Sequence, residues 1–259
     1  MNQSDIQRVK NLLPTDLGSE EVRETIASQI LRRSVFSARM ASASYLSDLR
    51  DVLVQISSGT MDRASAVLEL TASLDRLGIS PASGVGIANP ASRARLDLII
   101  RTNRQTAASV AQIHAQTQDT LEDYPGWELR RFSGRRAPRE DWAERWRSAG
   151  DSVGWAGAAR HSGNFPEWSF IALKSSPIWQ ALGDGAGGYR DTLGNPYPPF
   201  AYASGLAWDD VERERCEALG LVKPGEMVRM PPSPDMAPDA DELADARRRT
   251  GFDLSEGMA

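Results

Sequence analysis

A single cysteine, Cys216, stands in a chain of 259 residues. No intramolecular disulfide can form, so the fold has to be held by burial and hydrogen bonding. Such usage fits a reducing compartment. Histidine is nearly as scarce, with only His114 and His161, far apart in the chain. One thiol and two separated imidazoles do not make the ligand set of a structural zinc site. Long apolar runs are also missing. No stretch approaches the ~20 apolar residues that a membrane helix needs. The opening MNQSDIQRVKNLL is polar and has no apolar core of a secretory signal. The expectation is a soluble protein of the cytoplasm with no membrane contact. Net charge is −5, which argues against a general nucleic-acid coat but leaves room for local basic patches.

Tryptophan is absent from the first 126 residues, and all seven tryptophans follow Tyr124. The chain before that point is rich in Ala, Ser, Leu, Ile and Arg. The chain after it is aromatic and punctuated by Gly and Pro. This shift predicts an α+β protein of two modules and a tail: a helical module over 1–124, an aromatic-rich α+β module over 125–229, and an extended acidic tail over 230–259.

In the first module, Ser19 is placed to cap a helix, with Glu20 and Glu21 where the helix dipole favours acids. Val22, Ile26 and Ile30 recur every four residues, and Leu46, Leu49, Leu53 and Ile56 resume the stripe. Gly59 supplies a stop. One continuous helix would be unusually long, and the small residues from Ser37 to Ser44 allow a break. A second helix reads from about Thr60 to Leu77, with Val67, Leu70 and Leu74 inward and Gly78 closing it. A third begins near Pro90, which suits a first turn, and runs to Tyr124. Within it, Arg101, Thr102, Asn103 and Arg104 interrupt the apolar stripe. They read either as a surface turn or as a polar network between helices.

In the second module, WELRRF alternates as a strand with Trp127 and Leu129 on one side. PREDWAERWRSAGD reads as a short helix carrying Trp142 and Trp146 on one face. WSFIALK is the best further strand, and SPIWQALG makes one or two helical turns. DDVERERCEALGLV reads as a helix, with Asp209 and Glu212 forming a capping box and Gly220 ending it. The tail from Met230 is rich in prolines and acids and poor in large apolar residues.

Chemistry is sparse. GDGAGG at Gly183–Gly188 matches G-x-G-x-x-G, but a helical turn precedes it and a proline-rich loop follows. The dinucleotide fingerprint needs the opposite context, so a surface loop is the stronger reading. Glu212 and Glu214 diverge on a helix. Cys216 falls at a helix C-terminus, where the dipole does not activate a thiol, and reads as packing. No catalytic residue, metal ligand or cofactor is assigned, and no enzymatic activity is expected. Arg130, Arg131, Arg135, Arg136 and Arg139 cluster at one strand-to-helix turn. They are candidates for contact with phosphate or an acidic partner, since arginine favours bidentate contacts.

The segment NPYPPFAYASGLAW, Asn195 to Trp208, carries three prolines and four aromatics without a charge. Its prolines fix φ, remove backbone donors and push the preceding residues to extended conformations. The segment is therefore predicted to be a stiff extended strap. Asn195, Pro198, Pro199, Phe200, Tyr202 and Trp208 are candidate packing or partner-binding residues. The burial habit of large aromatics favours packing on their own domain.

Three stretches together resemble a known family: RSVFSARMASASYLSDLRDVL, LDLIIRTNRQTAASVAQ, and ALGDGAGGYRDTLGNPYPPFAYASGLAWDDVERERCEALGL. They look like segments of phage minor head proteins, the head-morphogenesis family typified by the Mu F-like proteins. The resemblance covers most of residues 14–222. IIRTNRQTAA resembles the family's recurring Ile-Ala-Arg-Thr-Glu helix, with Asn103 where the acid is usual. The family often ends in a Pro-Pro…His-Pro-Asn-Cys-Arg segment. Here Pro198-Pro199-Phe200 and AYASGLAW occupy the corresponding place without His or Cys. That departure argues against a metal or thiol role and leaves a structural one. The resemblance implies a virion component or assembly factor, present in the host cytoplasm during assembly. Its partners would be the portal or major capsid protein, with packaged DNA reached through the arginine cluster. Two alternatives remain: a phage-encoded enzyme, such as a transferase or nuclease effector, and a head–tail connector or adaptor.

Overall fold

The computed structural model describes residues 1–79, 89–132, 141–154, 170–236 and 240–250. It is an α+β protein of two compact units, Met1–Ala108 with Asp235–Ala259, and Ser109–Pro234. The division falls inside one helix rather than near Tyr124, and the C-terminal residues join the first unit.

The first unit begins with α1 (Gln3–Arg8), capped reciprocally by Asn2 and Asp5. Strand β1 (Asn11–Leu12) pairs in parallel with β2 (Ser34–Val35). Between them lie α2 (Ser19–Thr25) and α3 (Ser28–Arg32). The expected Val22–Ile26–Ile30 stripe is real, and all three are buried in one cluster with Leu13. It is spread over two short helices, however, because Ile26 takes an extended conformation (φ −105°, ψ 127°). The chain then leaves helical geometry again, and a strand pairing and one buried guanidinium fix that break. Ser34 and Val35 pair with β1, and the buried Arg95 guanidinium donates to the Ser37 hydroxyl and the Ala38 carbonyl.

Helix α4 (Ala43–Ser58) starts where Ser42 Oγ accepts from Tyr45 N at 3.2 Å and stops at Gly59, whose φ of 79° suits glycine. Its inward face is Tyr45, Leu46, Leu49, Val52, Leu53 and Ile56. Helix α5 (Arg63–Arg76) starts slightly later than expected, because Asp62 rather than Thr60 accepts from the free amides of Ala64 and Ser65. Val67, Leu70 and Leu74 face inward and join the α4 residues, Leu96 and Ile100 in one aliphatic core.

Helix α6 (Arg93–His114) carries the chain from the first unit into the second. The single helix expected to Tyr124 is divided: α7 (Gln118–Asp123) starts anew where Thr117 Oγ1 accepts from Thr120 N at 3.2 Å.

The second unit holds an antiparallel sheet of order β4-β3-β5, made of β3 (Gly126–Arg131), β4 (Ile171–Leu173) and β5 (Leu206–Val211). Helix α8 (Trp142–Ser152), helix α9 (Ile178–Gly183) and helix α10 (Arg213–Ala218) complete it. The expected helix from Asp209 is a correction. Asp209 lies in β5 opposite Glu128, and α10 starts only at Arg213, with no side-chain cap from Glu212. The strand wins because it places Trp208 opposite Leu129 in the ladder.

The tail is the other correction. Residues 240–250 form α11 (Ala240–Thr250), and Ala246 is fully buried with Leu13, Val22, Ile26 and Ile30. An acid-rich segment is helical here because Glu242 binds Gln29 and Arg33.

Candidate functional site

The strap is the segment to which both the residues and the resemblance drew attention. Its surroundings follow from strand alternation. On one face of the sheet, Trp127 lies opposite Ala172 and Asp210, and Leu129 lies opposite Trp208. On the other face, Ile171, Val211, Cys216, Val222 and Val228 form an aliphatic layer. The sheet is thus covered on both sides. Gly126 is required by this packing, since a Cβ there would lie 2.7 Å from Cys216 Sγ. Cys216 is buried, as expected. Its thiol pKa is pushed up to about 11, chiefly by that burial.

The first face is an aromatic core. Trp127 and Trp208 stack with centroids 3.8 Å apart and planes at 10°. Trp179 of α9 meets them edge-on at 6.3 and 5.3 Å, and Trp146 of α8 meets Trp179 at 5.4 Å. Both geometries are favoured by the ring quadrupole. The strap enters this core. Phe200 is fully buried, 6.2 Å from both Trp179 and Trp208. Asn195, Tyr197, Pro198 and Pro199 are buried too, and Tyr202 is half-buried. Every candidate strap residue is therefore wholly or partly enclosed by its own unit.

The strap is not a simple extended run. Thr192 and Ala201 form a β-bridge, Leu193 N donates to Phe200 O at 2.9 Å, and the Pro198–Pro199 peptide is cis. The segment therefore doubles back as a closed loop. The Gly-rich stretch has a packing role beside it. Gly194 N donates to Gly183 O at 2.9 Å, and a Cβ on Gly183 would lie only 1.9 Å from Asn195 O. Gly183 is thus the floor on which the strap rests.

Two charged residues that sequence reasoning passed over secure this core. Arg145 of α8 donates to Asp141 and Asp191, each at 2.8 Å. Its guanidinium also lies over the rings of Tyr189 (4.1 Å) and Trp142 (5.0 Å). Burial opposes its charge, yet the hydrogen bonds to Asp191 and Asp141 outweigh that and hold its pKa above the ordinary value. It ties α8 to the segment leading into the strap. Lys174 is the second. Its Nζ pairs with Asp210 at 2.8 Å, donates to Gln116 Oε1 at 2.7 Å and lies 5.5 Å over the Trp127 ring. Burial lowers its pKa and the Asp210 partner partly offsets this. Trp127 Nε1 donates to the same Asp210 at 3.0 Å. The available signal was rarity: only three lysines occur in the chain, and two of them, Lys10 and Lys174, are buried.

The two arginine candidates among the described residues, Arg130 and Arg131, do not converge. Arg130 and Arg131 are exposed, and as neighbours on a strand they point to opposite faces. Arg130 pairs with Asp209 at 3.0 Å. Arg135, Arg136 and Arg139 lie outside the described residues, as does His161. His114 is half-buried, with Nε2 3.3 Å from the Pro234 carbonyl.

Of the residues that interrupt the α6 stripe, Asn103 belongs to a polar network between helices, while Arg104 is exposed. In the first unit, Gln7 Nε2 donates to the Asn103 carbonyl and Lys10 Nζ to Asn103 Oδ1, both at 2.9 Å. Lys10 is buried, and burial lowers its pKa to about 8. Among the described residues, no group of three or more His, Cys, Asp or Glu is placed to hold a metal ion, and no helix is long and apolar enough to cross a membrane. Compared with protein-family models, with curated proteins and with solved structures, the chain matches none.

Proposed function

We propose that this chain is a minor head protein of a tailed phage or prophage. In this reading it docks on the portal or major capsid protein and supports head morphogenesis or DNA packaging and delivery. Contact with DNA through the arginine-rich turn belongs to the same reading. It would reside in the virion, and in the host cytoplasm while heads assemble. The support is the resemblance of three stretches to that family, together with the use to which their residues are put. The observation that carries most weight is that Phe200 and Trp208, the centre of the longest resembling stretch, are spent on a core. Asn103, the centre of another, joins α1 to α6. These are the uses of a framework, and the strap contains no carboxylate, imidazole, thiol or amine to transfer a proton near neutral pH, its only ionisable groups being the phenols of Tyr197 and Tyr202.

The test is the composition of assembling heads. Proheads and mature heads are purified from an induced lysate and probed for the chain by mass spectrometry. The reading expects it at a few copies per particle, with fewer filled heads when its gene is removed. Its absence from particles at every stage would overturn the reading. A ring of many identical copies would instead favour the connector.

A further inference from the structure

Helix α6 is basic in an acidic chain. Its residues Arg93–His114 include four arginines and a single acid, Asp97, whereas the whole chain carries a net charge of −5. Arg95 is buried and holds Ser37 and Ala38. The other three, Arg93, Arg101 and Arg104, share a face with Asp97. Positions i, i+4, i+8 and i+11 fall within about 80° of one another on a helix. At about 1.5 Å per residue, they extend for about 16 Å along it.

The one acid on that stripe is already answered. Arg63 of α5 grips Asp97 twice, Nε to Oδ1 and Nη2 to Oδ2, both at 2.8 Å. That pair is neutral, so Arg93, Arg101 and Arg104 leave the stripe with an excess of positive charge. Arg93 and Arg104 are exposed, and Arg101 is half-buried. Among the described residues, none of the three makes an ion pair. Arginines elsewhere on the surface have acids beside them: Arg8 has Asp5, Arg76 has Asp48 and Arg248 has Asp245.

The chemistry of the stripe selects its occupant. Guanidinium forks match the oxygens of phosphate. No large apolar side chain of α6 is exposed, so the stripe lacks the apolar or aromatic centre on which protein interfaces are built. Its length spans about five phosphates of a DNA strand at roughly 3.4 Å per step, so each guanidinium can meet a different one.

We propose that the α6 stripe of Arg93, Arg101 and Arg104 is a contact surface for the phosphate backbone of duplex DNA. The contact does not rest on the proposed function, because it follows from charges within the first unit. Its failure would leave the composition of phage heads untouched as a test of that function.

The full chain is titrated into a labelled mixed-sequence duplex and followed by fluorescence anisotropy. Three phosphate contacts give a slope of about −2.7 in log affinity against log salt, a fall of about 40-fold between about 50 and 200 mM. The chain carrying Arg93→Gln, Arg101→Gln and Arg104→Gln should bind about tenfold more weakly, or worse, at the lower salt, with the slope reduced by about 2.7. A control carrying Arg8→Gln, Arg76→Gln and Arg248→Gln has the same net charge and should bind as the unmodified chain does. Arg93→Gln with Arg104→Gln, both at exposed positions, repeats the test should the triple variant unfold, and should reduce the slope by about 1.8. Binding unchanged in the stripe variants, or weakened equally in the control, would overturn the proposal. So would no binding at about 50 mM salt, or saturable binding of poly-glutamate in place of the duplex, which would give the stripe to an acidic protein.

Discussion

The two units solve the same problem with different side chains. The first buries an aliphatic core of Leu, Val and Ile from α4, α5 and α6, with Tyr45 as its large aromatic. The second stacks tryptophans on one face of a three-stranded sheet and closes them with Phe200. A core of many similar aliphatic side chains spreads its stability over many positions. A core of a few large rings concentrates it, and each ring must be placed by its neighbours: Trp208 by the β5 register, Phe200 by the closed strap, and the strap by Gly183. The contrast is also convenient, because all seven tryptophans fall between residues 127 and 208, within the second unit. Tryptophan fluorescence therefore reports that unit alone.

The largest effect should come from removing a ring. Trp208→Ala should cost about 3–5 kcal/mol, as for other buried aromatics. It should lower the urea midpoint read by tryptophan fluorescence. Leu53→Ala in the first unit should cost about 2–5 kcal/mol and register in circular dichroism. If Trp208→Ala cost no more than Leu53→Ala, the idea of concentrated stability would lose its support.

A pH effect of similar size belongs to the first unit. Burial lowers the Lys10 pKa from 10.5 to about 8. The unfolded chain therefore holds this proton more tightly than the folded one, and protonation opposes folding. Stability from this group should rise as pH increases from about 8 to 10.5, by roughly 3 kcal/mol over the whole window. In the Lys10→Met chain that rise should vanish. The difference in stability between the two chains, followed by urea unfolding at pH 7.5 and 10, should move by most of that amount. A constant difference would mean that Lys10 is not desolvated.

Gly183→Ala should cost about 1–3 kcal/mol, the usual range for overpacking, because the new Cβ would meet the Asn195 carbonyl. The check is again fluorescence-detected unfolding, and a neutral result would show that the strap can lift from α9. The smallest effect is expected at Arg130. Its pair with Asp209 is exposed on both sides, so Arg130→Gln should change stability by less than about 1 kcal/mol. A larger loss in the thermal midpoint would give that surface a structural importance the geometry does not suggest.

Much of this comparison was legible in the residues, and the misses share a cause. The α4 stripe, its Gly59 stop, the β3 alternation and the Trp142–Trp146 face are local patterns, and local patterns survive into the fold. The helix expected from Asp209 was a sound local signal, but the pairing of β5 with β3 overrode it. The break between α3 and α4 depends on Arg95, far along the chain. Helix α11 depends on Arg33 and on a buried alanine among acids, and neither carries a periodic signal. At the candidate site, burial of Phe200 and Trp208 followed from their size. The closure of the strap on itself did not, since it rests on the Thr192–Ala201 bridge and the close approach at Gly183. Lys174 sits at the next alternating position after β4 and could have been placed over the aromatic face only once the register was known.

The central claim is that the proline-aromatic segment belongs to the core of its own unit. Hydrogen–deuterium exchange of the isolated chain, resolved over residues 193–211, tests this most directly. The amides of Leu193, Gly194 and Ser204 donate within the unit, and β5 pairs with β3 along its length. The account predicts that this segment exchanges as slowly as β3. Exchange within seconds over residues 193–204, with β3 still protected, would show that the strap is free in the isolated chain and would contradict it.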